Sequence, residues 1–234
     1  MTILSVRGVS RRFGGLQAIS DLSFDVPKGA IKALIGPNGA GKTTLFNLIS
    51  GFLSPDSGEI HFRGAPVHAL PSHRIASLGM VRTFQHIRLF PKMTVLENVM
   101  VGRHPHSRAG FVAGMLSLPS TWREERSIRE RGREILSMLG IGEHAGTEAV
   151  RLAYGQQRVV EIARALACEP RLLLLDEPAA GLNMRETNEM ARLIARIRDM
   201  GITVLLVEHD MSLVMGISDE IVVLSFGQKI AEDR

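Results

Sequence analysis

The chain has 234 residues, 45% of them hydrophobic, and a formal net charge of +4. That suits one large domain with a full core, or a core domain carrying an inserted subdomain. It excludes an intrachain disulfide, since Cys168 is the only cysteine, and a bilayer-spanning helix, since apolar runs such as 111–116 are too short. Residues 1–7 lack the layout of a signal peptide. A cytosolic chain, or one held at a membrane through a partner, is expected, with Cys168 a small core residue in a reducing compartment. The mild basic excess has no concentrated Lys/Arg tract of the kind that marks a nucleic-acid surface.

Residues 3–6 and 22–26 read as strands, the second alternating apolar and polar. Phe13 falls between them, as a core aromatic or as a ring on which a flat partner stacks. The turn Pro27-Lys28-Gly29 leads into an apolar strand over 31–35. Next comes Gly36-Pro37-Asn38-Gly39-Ala40-Gly41-Lys42-Thr43-Thr44, which fits the pattern Gly, four residues, Gly-Lys-Ser/Thr. A helix over 45–49, ended near Gly51, completes the strand, turn and helix that the pattern requires. Glycines let backbone wrap close to a polyphosphate and aim successive N–H groups inward. The helix start adds unpaired N–H groups and a positive dipole end. Lys42 can reach β- and γ-phosphates, and the Thr43 hydroxyl can ligate Mg²⁺.

Residues 54–58 read as a turn, 59–62 as a short strand, and a helix follows Pro71 as far as Leu78. A strand over 80–85 delivers Gln85 to a loop, where its amide reaches a metal or its water, or is simply solvated. From Thr94 the character changes. Residues 94–100 are helical, with Thr94 and Glu97 as a capping box. His104 and His106 lie in a loop with no cysteine or carboxylate cluster nearby, which reads as a solvated pair rather than metal ligands. Residues 123–139 are a charged helix with Ile128, Ile135 and Leu139 on one side and Arg/Glu pairs on the wet face. Leu152-Ala153-Tyr154-Gly155-Gln156-Gln157 opens a periodic helix whose buried face is marked by Val159, Ile162, Ala163 and Leu166, and which Glu169-Pro170 ends. Its first N–H groups, around Gly155, offer a second phosphate site. The stretch from about 94 to 165 thus reads as a helical subdomain inserted within an α/β core.

Residues 172–177 form an unbroken apolar strand ending in Asp176 and Glu177. Such runs suit a parallel sheet covered on both faces, and strand ends are where α/β sheets place ligands. Asp176 can hold Mg²⁺ through water, and Glu177 can orient or deprotonate an attacking water. A helix over 185–200 turns Met190, Leu193, Ile194 and Ile197 inward. A strand over 202–207 ends in Glu208-His209-Asp210, where His209 touches a γ-phosphate or its water, or is structural. Residues 221–224 are the last core strand, followed by the turn Phe226-Gly227-Gln228.

Taken in order, Phe13, the loop 36–44, Gln85, 152–156, Asp176-Glu177, Ala180-Gly181-Leu182-Asn183 and His209 resemble an ATP-binding-cassette (ABC) ATPase, over nearly the whole chain. Within that family the chain is similar to the LivG-type ATPases of bacterial branched-chain amino-acid importers. The closer match lies in Arg82-Thr83-Phe84-Gln85-His86-Ile87-Arg88-Leu89-Phe90, in 152–158, in 176–183 and in Glu208-His209-Asp210-Met211. The resemblance implies a P-loop NTPase core (RecA-like, mostly parallel sheet) with an antiparallel β subdomain and an inserted α-helical subdomain. It implies a head-to-tail dimer, with an identical chain or a related ATPase subunit, enclosing two ATP molecules. Phe13 would stack on adenine, and Gly36, Pro37, Asn38, Gly39, Ala40, Gly41, Lys42, Thr43 and Thr44 would wrap the phosphates. Thr43, Gln85 and Asp176 would attend to Mg²⁺, Glu177 would act as general base, and His209 would link the γ-phosphate to the base. Ala153, the Gly155 N–H and Gln156 would close the other subunit's site.

Membrane permease subunits are the implied partners, with an extracytoplasmic substrate-binding protein engaged indirectly, and the chain would sit at the cytoplasmic face of the inner membrane. The sequence departs from the family signature Leu-Ser-Gly-Gly-Gln, with Ala153 in place of the serine and Tyr154 in place of the first glycine. Asn183 stands where many relatives have aspartate. Other cassettes drive export, as of lipopolysaccharide. Those acting on nucleic acid resemble two fused cassettes or carry long coiled coils, and this chain has neither. Intact Lys42, Asp176, Glu177 and His209 argue against an ATP sensor that does not hydrolyse.

Overall fold

The computed structural model describes residues 1–103 and 119–233. His104, His106 and the run 111–116 lie outside the described residues. The chain divides into two compact units, Met1–Gln85 with Arg171–Arg234, and His86–Pro170.

The first unit holds both sheets. Strands β1 (Thr2–Phe13), β2 (Leu16–Pro27), β4 (Ser57–Phe62) and β5 (Ala65–Pro66) form an antiparallel sheet in the order β2-β1-β4-β5. The first two strands run far beyond the expected 3–6 and 22–26. Their apolar alternation breaks at register shifts, with Gly8 and Asp21 at positive φ. Near the breaks, polar pairs tie β1 to its neighbours: Arg7 bonds both oxygens of Asp25 on β2 at 2.7 Å, and Asp56, just before β4, takes Arg11 at 2.6 Å.

The second sheet joins β3 (Ile31–Ile35), β6 (Met80–Arg82), β7 (Leu172–Asp176), β8 (Thr203–Val207), β9 (Glu220–Ser225) and β10 (Gln228–Asp233) in the order β10-β9-β3-β8-β7-β6. All pairings are parallel except β10 with β9. Every residue of β7 and β8 is buried, as apolar runs in a doubly covered parallel sheet require. Helix α1 (Lys42–Ile49) sends Leu45, Phe46, Leu48 and Ile49 into one core with side chains of both sheets. Strand β10 is absent from the sequence reading. All its residues are exposed, so no apolar period marks it, and only its backbone pairing with β9 defines it. Strand β6 stops at Arg82 instead of reaching Gln85; the last ladder bond runs from Thr83 N to Leu174 O at 3.0 Å.

Lys32, on β3, is 1% exposed. Its ammonium donates to Asp25 O on β2 at 2.6 Å, to Glu220 on β9 at 2.9 Å and to Glu232 on β10. One buried charge thus joins the two sheets, and it is tolerable only because all its protons find oxygens. Burial pushes the Glu232 carboxyl up, but hydrogen bonds from Lys229 and Lys32 outweigh this and hold it below its ordinary 4.5.

The second unit is helical. It contains α2's successors in the chain: α3 (Val95–Val101), α4 (Pro119–Met138) and α5 (Tyr154–Ala167), α2 itself (Ser72–Ser77) belonging to the first unit. Thr94 and Glu97 form the expected capping box on α3, with Thr94 N to Glu97 Oε2 at 2.7 Å and Glu97 N to Thr94 Oγ1 at 3.2 Å. On α4, Ile135 and Leu136 are buried, while Ile128 is only half-buried. Gly132 lets α4 approach α3, since a Cβ there would lie 2.8 Å from Leu96 Cδ1. On α5 the expected Val159 is half-buried, and Val160, Arg158 and Glu161 take the inner positions. The two charges go in as a pair: Arg158 and Glu161 lie 3.6 Å apart, Tyr154 OH accepts from Arg158 at 2.9 Å, and Glu161 accepts from Arg88 N at 2.7 Å. Burial pushes the Glu161 carboxyl up, and the Arg88 amide and the arginines only partly offset it. Cys168 caps α5 rather than lying within it, with its thiol on Gly102 O at 3.0 Å; burial raises its pKa above the ordinary 9.0.

Two outcomes follow from the Lys32 staple. Lys32→Ala leaves two carboxylates facing without their cation and should lower unfolding free energy by about 3 kcal/mol, read by urea denaturation; an unchanged midpoint would show the staple carries nothing. Because the folded Glu232 carboxyl is depressed, its contribution is full above about pH 4.5 and is lost as pH falls through the lower folded value. The melting-temperature gap between wild type and Glu232→Gln should therefore be open at pH 7 and close below pH 4.5, and a gap independent of pH would refute this.

Candidate phosphate-binding and hydrolytic site

Backbone pairing sets the site's geometry. Leu34 on β3 pairs with Val207 on β8, and Val207 pairs with Asp176 on β7. Three parallel strands therefore end level, and the loops beginning at Gly36, Glu177 and Glu208 leave side by side at their carboxyl ends.

The first of these loops is built for close approach. Gly36 has φ 151 and a Cβ there would meet Leu224 O at 2.3 Å; Gly41 has φ 102 and a Cβ would meet Ala18 O at 2.8 Å. No other residue type fits either place. Gly41 caps α1 in the left-handed region without any side-chain cap bond, so the first-turn N–H groups stay free of side-chain acceptors. Pro37, Asn38 and Gly39 are exposed, Ala40 is buried with its N–H on Pro37 O at 3.1 Å, and Gly227 N holds Ala40 O at 3.0 Å. The Lys42 ammonium lies on the loop itself, 2.6 Å from Gly36 O and 3.0 Å from Pro37 O. Thr43 is exposed and Thr44 half-buried at the start of α1.

Asp176 is buried, and its Oδ2 accepts from Arg82 Nη2 at 2.7 Å. Arg82 Nη1 also donates to Asn47 Oδ1 at 2.7 Å and Ser50 Oγ at 3.1 Å, both on or capping α1. The rings of Phe46 and Phe84 lie 5.4 Å from its guanidinium carbon, and Phe52 lies at 6.0 Å. This one arginine joins the ends of β6 and β7 to the phosphate-loop helix. The sequence reading gave it no role. The available signal was an arginine ending an otherwise buried strand, which needs a carboxylate partner.

Gln85 and Glu177, 92 positions apart, meet: Gln85 Nε2 donates to Glu177 Oε2 at 2.8 Å. Glu177 has φ 48, and its N–H bonds Val207 O at 2.9 Å. Glu208, also without an expected role, is 1% exposed beside His209, whose own side chain is 65% exposed. Phe13, at the end of β1, is 43% exposed rather than in the core, with the Arg11 guanidinium 5.1 Å from its ring centre. Asn183 caps α6 (Met184–Asp199) through a capping box with Glu186.

All these groups belong to the first unit, whereas Ala153, Gly155 and Gln156 belong to the second. There Gln156 Oε1 accepts from Ala153 N at 3.2 Å, its Nε2 lies 3.0 Å from His144 Nε2, and α5 has no side-chain N-cap bond because alanine supplies no oxygen. Among the described residues no group of three or more His, Cys, Asp or Glu could hold a metal unaided. The hydroxyl, carboxylate and amide of Thr43, Asp176 and Gln85 are hard oxygen donors. They suit a Mg²⁺ that takes its remaining ligands from phosphate and water. No helix among the described residues is long and apolar enough to cross a membrane.

The family described as ABC transporter matches residues 19–180. The chain is 48% identical over 231 residues to the high-affinity branched-chain amino acid transport ATP-binding protein BraF of Pseudomonas aeruginosa, covering 98% of this chain and 91% of that one. It is 48% identical over 230 residues to the corresponding LivG protein of Escherichia coli K12, covering 98% and 90%. Of solved structures, an ATP-binding cassette of an ABC transporter in its ADP conformation gives a TM-score of 0.88 at 33% identity, covering 100% of this chain and 91% of that one. A dimeric bacterial ABC transporter cassette gives 0.81 at 25% identity, covering 99% and 98%. Sequence over nearly the full length, cassette fold and phosphate loop agree: the chain belongs to the ABC transporter family and is one of its ATPases.

Proposed function

We propose that this chain is the ATP-hydrolysing subunit of an importer for branched-chain or other hydrophobic amino acids. The observation that carries the hydrolytic part is the Gln85–Glu177 hydrogen bond of 2.8 Å at the level strand ends. The cargo rests on the likeness to BraF and LivG.

ATP enters with its phosphates in the 36–44 loop and its adenine against Phe13. The Lys42 ammonium, held by two carbonyls of the loop, moves to the β- and γ-phosphate oxygens. Thr43 and Asp176, with Gln85 nearby, would hold Mg²⁺, which would supply positive charge against the phosphoryl group being transferred. Arg82 fixes Asp176 Oδ2, so the carboxylate cannot rotate freely. Glu177 accepts the proton of the attacking water, with Gln85 fixing its second oxygen. His209 contacts the γ-phosphate side of the same site.

The unit carrying Ala153, Gly155 and Gln156 serves the site of a second subunit, identical or related, in a head-to-tail dimer. The missing serine oxygen at Ala153 leaves the first-turn N–H groups of α5 without a side-chain acceptor, which suits them to a phosphate. The chain binds permease subunits at the cytoplasmic face of the inner membrane, and through them serves an extracytoplasmic substrate-binding protein. Leucine uptake by vesicles holding the reconstituted complex tests the cargo; ATP-driven efflux, or no amino-acid uptake, would reject it.

Lys42→Ala should reduce Mg²⁺-ATP hydrolysis by at least about a hundredfold, and Glu177→Gln should bind ATP yet turn over about 10²–10⁴-fold more slowly, both read by phosphate release. Normal turnover in Glu177→Gln removes that residue from the base role. Light scattering on Glu177→Gln should show the mass double on adding Mg²⁺-ATP. A mass that stays at one chain with ATP bound would rule out dimerisation by ATP alone.

A further inference from the structure

Glu208 directly follows β8 with a side chain fully out of solvent, and no catalytic step above uses it. Its two oxygens serve different loops. Oε1 accepts from Ala179 N at 2.8 Å. Oε2 accepts from His209 N at 3.0 Å and Asp210 N at 3.4 Å, and lies 3.7 Å from His209 Nδ1. Ala179 is two residues beyond Glu177. Strand pairing between β7 and β8 is extended by Glu177 N to Val207 O at 2.9 Å. The Glu208 carboxylate then adds one more rung, made by a side chain, where the two backbones diverge. Asp210 continues the arrangement by capping α7 (Met211–Ile217), accepting from Ser212 N at 2.9 Å and Leu213 N at 3.1 Å.

We propose that Glu208 is a positioning residue that fixes the Glu177 loop and the His209 loop relative to one another, so that base and histidine address the same phosphate. The inference rests on the roles given above to Glu177 and His209. The chemistry calls for a carboxylate: the three partners are all N–H donors, so both oxygens must accept. Glutamine offers one oxygen and one NH₂ group, and the NH₂ necessarily faces an amide donor on one of the two loops. One loop is released and the other kept, with almost no change in side-chain volume. Sub-ångström misplacement of reacting groups is costly; about 1 Å can cost a hundredfold in rate. The phosphate loop makes no bond to Glu208, so ATP affinity should be untouched.

The test is a double-mutant cycle on the full chain, with Glu208→Gln, His209→Ala and their combination. Single-turnover hydrolysis, ATP affinity and melting temperature are measured for each. Glu208→Gln should lower the hydrolysis rate at least tenfold while KM and ATP affinity stay within twofold of wild type. In the His209→Ala background the same change should have a clearly smaller effect, the remainder being what it does to the Glu177 loop alone. A wild-type rate in Glu208→Gln, or full additivity with His209→Ala, overturns the proposal. Glu177→Gln run in parallel separates the cases: if it hydrolyses normally, the reading of the site fails; if it is inactive while Glu208→Gln is not, only this inference fails. Should Glu208→Gln not fold, Glu208→Asp, which keeps both oxygens on a shorter arm, is put through the same cycle under the same criteria.

Discussion

The constraint on which the site depends is the register of three parallel strands. Leu34, Val207 and Asp176 lie abreast, so the peptide leaves β3, β8 and β7 at one level. Shifting any of these strands by one residue would turn every side chain to the opposite face. Apolar runs on both faces of β7 and β8 do not by themselves resist such a slip; it is opposed by the close packing of their enclosed side chains and, on β3, by Lys32, whose ammonium would leave its three oxygens. Placement of the candidate site residues is therefore inherited from packing and pairing away from the phosphate loop.

Around that frame, polar groups are placed where strands end and hydrogen-bond partners run out. Arg82 closes the ends of β6 and β7 against α1, and Glu208 closes the ends of β7 and β8. Both side chains are charged and almost wholly out of solvent, which an interior admits at a cost that paired partners reduce. Their bonds are also directional, so they hold neighbouring loops at a set distance, as apolar contacts cannot.

What could be read from the sequence divides along physical lines. The phosphate loop is legible because its constraints are local: two glycines whose Cβ positions are blocked, then a lysine and a hydroxyl at a helix start. Buried strands such as β7 are legible as unbroken apolar runs, and the stripe Met190, Leu193, Ile194 and Ile197 on α6 because one buried helix face imposes a period. Strand β10 escapes because an exposed edge strand imposes none. The far halves of β1 and β2 escape because bulges break the alternation. On α5, Val159 misleads because Arg158 and Glu161 are buried as an ion pair, a pattern that looks like a wet face. In the site, Gln85, Asp176 and Glu177 stand out as polar ends of apolar runs. The contacts of Arg82 and Glu208 span 94 and 29 positions and exist only once the sheet is assembled.

The backbone of Glu177 carries a further consequence. Its φ of 48 puts a residue with a Cβ and a long side chain in the left-handed region, where roughly 1 kcal/mol or more is forfeited relative to glycine. Glycine there would relieve that strain, but it would also remove the side chain that Gln85 holds and the group proposed to take the proton. The base role proposed for Glu177 thus sets turnover against relief of backbone strain at this position.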